Sequence, residues 1–354
     1  VERLPLPESR GAPDARDVLA YIRASNDGEA ADTGTDLFVE DPAASLIGMK
    51  DTKFRERILL VARHEGEAVG FGVLRYSRST EANADVMIAV APEHRDDEVA
   101  DALLTALEQL ARERGRSRLI AYGISPATSA HRLPSPTGFG TIDADGFHTR
   151  AMQRAGYSLG QVERVSFCDL RDPIDTSELL SAAWEKAGDD YRVEWWDGPV
   201  PDEYAESLCR VITRMDTDPP DGELDWEPDV YTVKMLRKRE ARAREIGAML
   251  AVTALVHVPT NEVVAFNELY ESVIPAWPSN NGGTLVMPDH RGRRLGMIVK
   301  AEGLLRFREA VPDTPGIITF NAEENRYMLD VNEAVGFRPV AYEGAWQKDL
   351  SPGH

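Results

Sequence analysis

The chain has 354 residues, of which 42% are hydrophobic and 28% are charged, and its formal net charge at pH 7 is -20. This length favours two domains of roughly 100–200 residues each. The acidic balance argues against nucleic acid as a partner, because its phosphates would be repelled. It slightly favours a cationic substrate such as an amine, but an acidic surface that serves solubility alone is the preferred interpretation.

No segment reaches the roughly 18 consecutive apolar residues of a membrane-spanning helix. Val1 to Pro13 lack the basic-then-apolar order of a signal peptide, so we expect a cytoplasmic protein with no membrane partner. Two cysteines, Cys168 and Cys209, are too few for a disulfide framework. The seven histidines are scattered, so no metal site is expected.

The first part of the chain alternates predicted helices and strands. In order they are a helix in Pro13–Asn26, hairpin strands Ile58–Arg63 and Val69–Tyr76, an apolar strand from Asp85 to Pro92, a helix with Val99, Leu103 and Leu107 inward, a strand Ser117–Tyr122 and a helix ending at Gly156.

This pattern then recurs, which indicates an internal repeat. Three residues return 196 positions later, namely Pro92, His94 and Arg95 as Pro288, His290 and Arg291. The Gly-aromatic pairs that end the following helices, at Gly156 and Gly336, are only 180 apart. The first copy therefore holds 16 extra residues, 196 less 180, which we assign to a loop in Ser125–Asp145.

The boundary between the copies is predicted at Arg171–Thr176, which gives domains 1–170 and 171–354. The second copy is predicted to contain a strand Tyr191–Trp196, helices in Pro201–Met215 and Tyr231–Glu245, hairpin strands Met249–Val258 and Val263–Tyr270, a strand-turn-helix unit in Gly282–Phe307 and a strand Gly316–Phe320. Each copy is therefore expected to be α/β, or α+β, with a mixed sheet, and its strand-turn-helix-strand unit to be a parallel crossover.

The turn within Gly282–Phe307 has the features of an anion site. It combines backbone N–H groups, the positive end of a helix dipole and three arginines, Arg291, Arg293 and Arg294. A pyrophosphate is the natural ligand. Neither the G-x-x-x-x-G-K-[ST] loop of an NTPase nor the G-x-G-x-x-G of a dinucleotide fold is present.

The segment from Val286 to Gly296 resembles the signature of the GNAT superfamily of acyl-CoA-dependent N-acyltransferases, an apolar strand followed by a Q/R-x-x-G-x-G/A turn and a helix. One position departs from it, with Arg294 where a glycine is usual. The segment from Asn321 to Phe337 resembles the second motif of the superfamily, in which an Asn opens a helix that closes on Gly-Phe. The tandem arrangement is similar to that of the mycothiol synthase family.

This resemblance implies acetyl-CoA as the acyl donor, with no metal, and a small-molecule primary amine as acceptor. The backbone of Leu285, Val286 and Met287 is expected to pair with the pantetheine arm. The turn is expected to hold the pyrophosphate through Arg291, Gly292, Arg293, Arg294, Leu295, Gly296 and Met297, and the second motif contributes Asn321 and Asn325.

The first copy carries acids where the second carries this turn. Asp96, Asp97 and Glu98 stand at the repeat positions of Gly292, Arg293 and Arg294. Like charges this close oppose a pyrophosphate. We therefore expect domain 1–170 to be a degenerate GNAT-like half that does not bind the cofactor and packs on the second half as an intramolecular pseudo-dimer.

For catalysis, Glu268 is the predicted general base, directly or through water, and a solvated carboxylate at the sheet edge is the alternative. Asp289 and His290 are weaker candidates because they lie at the phosphate end. Many GNAT enzymes carry a tyrosine acid seven residues after the Asn of the motif, and here that position is Asn332. An amide can only hydrogen-bond, so Tyr327 or a water substitutes or the thiolate leaves unassisted.

The sequence allows more than one role for the tryptophans and for an acidic segment of the second copy. Trp277 and Trp226 are candidates for the acceptor site, whereas Trp195 and Trp196 suit a core. The acids between Asp216 and Asp229 suit either a solvated loop, which we favour slightly, or an amine attractant. The predicted function is an acetyl-CoA-dependent N-acetyltransferase, and the alternative is a non-catalytic acyl-CoA-binding or regulatory protein.

Overall fold

The computed structural model describes residues 1–9, 11–12, 15–50, 53–225 and 227–350, with Asp216 described by its backbone only. Trp226, one of the predicted acceptor-site aromatics, lies outside these residues. Within them, helices and strands alternate as the sequence patterns predict.

The first half contains strands β1 (Glu2–Leu4), β2 (Arg55–His64), β3 (Glu67–Ser77), β4 (Asn83–Ala89), β5 (Arg118–Pro126), β6 (Arg132–Pro134), β7 (Thr141–Asp143) and β8 (Ser158–Asp169). Its helices are α1 (Arg16–Thr33), α2 (Pro42–Met49), α3 (Asp97–Glu113) and α4 (Phe147–Arg154). The extra residues assigned to a loop form the small β6–β7 hairpin.

The second half contains strands β9 (Tyr191–Trp196), β10 (Leu250–His257), β11 (Glu262–Tyr270), β12 (Ser279–Val286), β13 (Gly316–Ala322) and β14 (Arg338–Asp349). Its helices are α5 (Ser177–Ala187), α6 (Asp202–Thr213), α7 (Val233–Ile246), α8 (Leu295–Ala310) and α9 (Arg326–Ala334). The turn of interest is the segment between β12 and α8, which begins with a one-turn 3₁₀ helix, Pro288–His290.

Twelve strands of the described residues form one continuous mixed sheet in the order β1-β2-β3-β4-β5-β14-β8-β13-β12-β11-β10-β9. The predicted parallel crossovers are present, because β4 runs parallel to β5 and β12 runs parallel to β13. The last strand of each half crosses into the other half: β14 pairs with β5, and β8 pairs with β13. The repeat alone did not predict this exchange.

Helices cover both faces of the sheet and bury separate apolar clusters. In the first half α1 and α2 pack on one face and α3 and α4 on the other. In the second half α6 and α7 cover one face, while α5 and α8 cover the opposite one. Strand alternation in β11 therefore turns Phe266 toward α6 and Asn267 toward α8.

Two acids of the segment 216–229, Glu227 and Asp229, attach it to the first half, whereas Asp221, Glu223 and Asp225 are exposed. The Glu227 carboxylate accepts backbone N–H groups of Glu81, Ala82 and Asn83 at 2.6–3.1 Å. Asp229 accepts the hydroxyls of two serines of the same half, each at 2.7 Å. The segment therefore joins the two halves. No helix among the described residues is both long and apolar enough to span a bilayer.

Candidate functional site

The two halves differ at the point where their central parallel strands separate. In the first half β4 and β5 pair at four positions, from Asn83↔Arg118 to Val86↔Ala121. In the second half β12 and β13 pair only at Ser279↔Ile317 and Asn280↔Ile318. The repeat offset places Ser279 opposite Asn83, so the second gap opens two residues earlier and is longer.

A bulge in β12 marks the start of this gap. Glu268 pairs with Gly283 while the next residue, Leu269, pairs with Asn281, so Gly282 is an extra residue. The corresponding β3–β4 ladder of the first half runs without a shift. A Cβ atom on Gly282 would overlap the ring of Tyr270 and lie 2.8 Å from a carboxylate oxygen of Glu268. The bulge therefore requires glycine and brings the backbone against these two side chains.

Fewer residues at the end of β12 direct their backbone groups into the gap than the sequence predicts. The N–H of Met287 donates to the carbonyl of Val264 at 2.9 Å, so it faces β11. Because backbone groups alternate in an antiparallel pair, Leu285 faces β11 as well, and Thr284 and Val286 face the gap. The Val286 carbonyl accepts from Nε of Arg291 at 3.0 Å. Of the three predicted residues, Val286 alone directs its backbone into the gap.

The start of α8 is unusually open. Arg294 is its N-cap with φ 58°, in the left-handed region, and it makes no side-chain capping hydrogen bond. Gly292, two residues earlier, also has a positive φ of 77°. The N–H of Met297 donates to the Arg294 carbonyl at 3.1 Å, which leaves Leu295 and Gly296 at the uncapped terminus. Such a terminus favours an anion.

The equivalent helix of the first half starts differently. It begins at Asp97, the repeat partner of Arg293, so α3 is two residues longer at its N-terminus than α8. Its cap Asp96 accepts the N–H of Glu98 at 2.8 Å. Arg95 is bound to Asp32 at 2.6 Å. The Asp96 cap therefore already binds one of the N–H groups that an anion would need, and Asp97 and Glu98 add negative charge to the first turn.

The three arginines of the second turn differ in their contacts. Arg291 forms an ion pair with Asp218. The guanidinium of Arg293 lies over the ring of Tyr191 at 5.9 Å. Arg293 and Arg294 are exposed and have no carboxylate within 4.0 Å among the residues described above. The free positive charge of the turn therefore comes from these two side chains.

Glu268 is not the solvated edge carboxylate that was the alternative prediction. It lies in a central strand with 2% of its surface exposed, and it forms an ion pair with Arg239 of α7. Burial, and then the negative charge of Glu268, raise the pKa of Tyr270 well above its ordinary value, so this phenol keeps its proton. Sequence analysis missed Arg239 as a site residue, since α7 carries no motif, and it assigned no role to Tyr270 of β11.

The second motif forms a buried amide pair. Nδ2 of Asn332 donates to Oδ1 of Asn321 at 2.6 Å, while Oδ1 of Asn332 is buried with no partner. Asn325 caps α9 as predicted, accepting the N–H of Met328 at 3.3 Å. Tyr327 is 57% exposed and lies beside Gly296 at the turn, so it is at the phosphate end and not at the bulge.

A buried lysine beneath the gap was also missed. Lys300 of α8 is fully buried, and its Nζ donates to Asn281 Oδ1 at 3.0 Å and to Thr284 Oγ1 at 3.2 Å. Burial lowers its pKa to about 7. Its repeat partner in the first half is Leu104. Lys300 therefore ties the helix that starts at the turn to the strand that carries the bulge.

The other residues considered in the sequence analysis lie in the core, at a cavity or near the turn. Trp196 is buried and stacks on Tyr204 at 5.3 Å, as expected of a core residue. Trp277 lines a cavity of about 470 Å³ that the first half's strand gap shares with the β11–β12 loop. Asp289 is exposed, and His290 shares a hydrogen bond with Tyr191 at 2.9 Å. Among the residues that the structure covers, no group of three metal-binding side chains converges.

Comparison with known proteins agrees with this fold. Residues 24–139, in the first half, match the model of the Acetyltransferase (GNAT) family. Comparison with curated proteins gave no match. The family match therefore falls on the half that lacks the basic turn.

Solved structures match over the whole chain. A tandem GNAT protein from the clavulanic acid biosynthesis pathway is 20% identical, with a TM-score of 0.75 and 99% of each chain covered. A GCN5-related N-acetyltransferase from Sphaerobacter thermophilus is 16% identical, with a TM-score of 0.65, and the match covers 100% of this chain and 96% of that one. The chain therefore contains a GNAT-family domain and has the fold of a tandem GNAT protein.

Proposed function

We propose that this tandem GNAT protein is an acetyl-CoA-dependent N-acetyltransferase that acetylates a primary amine of a small molecule. The observation that carries the proposal is one combination found in the second half: an open strand gap, a carboxylate at its bulge, and an uncapped helix behind a basic turn. These three features suit the amide arm, the thioester and the pyrophosphate of an acyl-CoA.

In this proposal the backbone of Thr284 and Val286 receives the pantetheine arm as an added strand. The unpartnered Oδ1 of Asn332 is a buried acceptor for an amide N–H of that arm. The N–H groups of Leu295 and Gly296, with Arg293 and Arg294, hold the pyrophosphate. Asn321 positions Asn332.

The chemical step is a direct transfer. The acceptor ammonium loses a proton to Glu268, directly or through a water, and its nitrogen then attacks the thioester carbonyl. A new C–N bond forms, the C–S bond breaks, and coenzyme A leaves as a thiolate, which takes the second proton from the acylated nitrogen. A thiol with a pKa of about 8.5 leaves without a dedicated acid, consistent with an amide at position 332. The Tyr270 phenol, whose ring lies against the bulge, keeps its proton and donates a hydrogen bond to Glu268 beside the acceptor.

We also propose that the first half, residues 1–170, does not bind the acyl donor, and that domain 171–354 carries the site. The capping contact of Asp96 and the negative charges of Asp97 and Glu98 support this division. Isothermal titration with acetyl-CoA is expected to give one site per chain. Two sites would refute the division.

The alternative is a non-catalytic acyl-CoA-binding protein, which the counter-ion on Glu268 and the amide at Asn332 favour. Release of free coenzyme A thiol from acetyl-CoA separates the two functions when it is measured across a panel of primary amines, with each product identified by mass. Amine-dependent thiol release is expected. One bound acetyl-CoA per chain with no release for any amine would establish the alternative.

A further inference from the structure

A second cavity lies between the two halves, and one of its lining residues, Arg239, is the ion-pair partner of the carboxylate at the bulge. Its volume is about 530 Å³, within the usual size of a small-molecule site. Six basic side chains line it, and Glu40 is the one acid among its lining residues. The basic residues come from β2, β3 and α7: Arg55, Arg57, Arg75, Lys238, Arg239 and Arg242.

This concentration of positive charge is unusual for a protein with a net charge of -20. Arg75 pairs with Asp85 at 2.8 Å, and Arg239 pairs with Glu268. Arg55, Arg57 and Arg242 have no carboxylate within 4.0 Å in the described part of the chain. Positive charge in the cavity is therefore left for a ligand.

The arginines crowd one another. Nη1 of Arg57 donates to the carbonyl of Gly48 at 2.8 Å, which fixes the side chain without neutralising it. The Arg242 guanidinium lies against Gly48 as well, where a Cβ atom would collide with it. Burial, and then the charges of Arg75, Arg242 and Arg55, lower the pKa of Arg57. An anion bound here would relieve this repulsion.

The cavity is connected to the reacting position through two contacts. Arg239 lines the cavity and pairs with Glu268, and Glu268 lies against the bulge at Gly282. Arg239 therefore belongs both to the cavity wall and to the carboxylate site, which places the cavity on the Arg239 side of Glu268.

We propose that the acceptor is an amine that also carries a carboxylate or phosphate group, and that Arg55, Arg57 and Arg242 bind this group. The inference rests on the proposed N-acetyltransferase function and names its substrate class. It narrows the expectation, drawn from net charge, of a cationic acceptor such as an amine. The overall charge describes the surface, whereas the cavity is selected by its own side chains.

The test uses amines matched in length, propylamine against β-alanine and ethanolamine against O-phosphoethanolamine. Coenzyme A release by the full-length protein should favour the anionic member of at least one pair by about tenfold or more in kcat/KM, which corresponds to one charge-assisted contact. The pair that is preferred distinguishes carboxylate from phosphate.

Substitutions of the cavity arginines test whether these residues cause the preference for the anionic amine. Arg57→Met and, at the exposed rim, Arg55→Met should remove most of the preference by lowering kcat/KM for the anionic amine. Arg210→Met, on the surface of α6 and paired with Glu262 at 2.6 Å, is the control and should retain the preference. Equal rates for both members of both pairs, or a preference that persists in both cavity variants, would overturn the inference while leaving the transferase intact.

A binding measurement separates this failure from failure of the proposed function. Glutarate, a dicarboxylate without an amine, should bind to the full-length protein and bind at least tenfold more weakly to the Arg57→Met/Arg242→Met variant. Glutarate binding without transfer to any amine would support the anion site and refute the transferase. Glutarate affinity that is equal in the protein and the variant would refute the anion site.

Discussion

Glu268 of β11 and Arg239 of α7 form a buried ion pair at the bulge of β12, so the carboxylate nearest the gap carries its own counter-ion. Only 3% of the Glu268 side chain and 24% of the Arg239 side chain are exposed. The pair joins a strand of the sheet to the helix that borders the basic cavity. The ion pair therefore contributes to the stability of the second half and also takes part in its proposed chemistry.

Removing one member of this pair should be costly. Arg239→Met leaves the buried carboxylate uncompensated and should lower the free energy of unfolding by about 3–5 kcal/mol. The double variant Arg239→Met/Glu268→Gln removes the charge as well and should lose less than the sum of the single variants. Urea unfolding measures both. Arg244→Met, exposed on the same helix, is the control and should change stability by less than about 0.5 kcal/mol. Strictly additive losses would contradict a coupled pair.

Glu268→Gln tests the proposed base separately from folding. An amide of the same shape keeps one hydrogen bond to Arg239 but accepts no proton. The kcat for the best amine should fall by about 10²–10⁴-fold, with the affinity for acetyl-CoA nearly unchanged. Steady-state kinetics and titration calorimetry supply the two values. A kcat within about threefold of the unsubstituted protein would exclude Glu268 as base.

Arg294→Gly distinguishes the two contributions of the turn. Glycine adopts the φ of 58° without strain, so thermal stability should be equal or higher. Loss of one free guanidinium should weaken acetyl-CoA binding by about tenfold, the effect of one charge-assisted contact. Glu98→Ala, at the matching position of the first half, should leave the affinity unchanged. An equal effect of both substitutions would contradict a binding site confined to the second half.

Local patterns predicted the elements around this turn, because each depends on a few neighbouring residues. Apolar spacing gave β12 and α8, and the repeat offset aligned Arg294 with Glu98. The contrast between a basic and an acidic turn was likewise visible in the sequence. The sequence did not show that Asp96 caps the helix of its own half, which only the structure reveals.

Features that depend on distant segments were not predictable. The exchange of β8 and β14 between halves follows from tertiary packing, which the repeat does not encode. The bulge at Gly282 and the partner of Glu268 arise where separate elements meet. The acidic segment near Glu227 had the composition of a solvated loop, yet the Glu227 carboxylate accepts backbone N–H groups of the other half.

Asn332→Ala should have a small effect on rate. The side chain donates to Asn321 and offers one buried acceptor, so its loss removes about one hydrogen bond, about 1 kcal/mol or roughly fivefold in kcat/KM. The rate of coenzyme A release, measured at saturating amine, gives kcat/KM for acetyl-CoA. Asn321→Ala is the matched variant and should behave similarly, since it breaks the same pair. A loss of several orders of magnitude in Asn332→Ala alone would assign this residue a direct part in catalysis.

Lys300 should make stability depend on pH in the alkaline range. Its pKa is lowered by burial from an ordinary 10.5 to about 7, so between these values the unfolded chain binds the proton that the folded chain has lost. Stability should therefore rise with pH from about 7 toward 10, and below 7 the cost of burying the charge is fully present. Lys300→Met removes this term, so its stability relative to the unsubstituted protein should be greatest at pH 7 and decline by pH 9.5.

Urea unfolding at half-unit intervals from pH 6.5 to 9.5 measures this difference. Leu104→Met, at the same repeat position in the first half, carries no titrating group and should give a curve parallel to that of the unsubstituted protein. Parallel curves for Lys300→Met as well would mean that the buried amine keeps its proton throughout, held by Asn281 and Thr284. Convergence toward high pH would instead identify Lys300 as a neutral amine beneath the acyl-donor gap at the pH where the transfer is expected to occur.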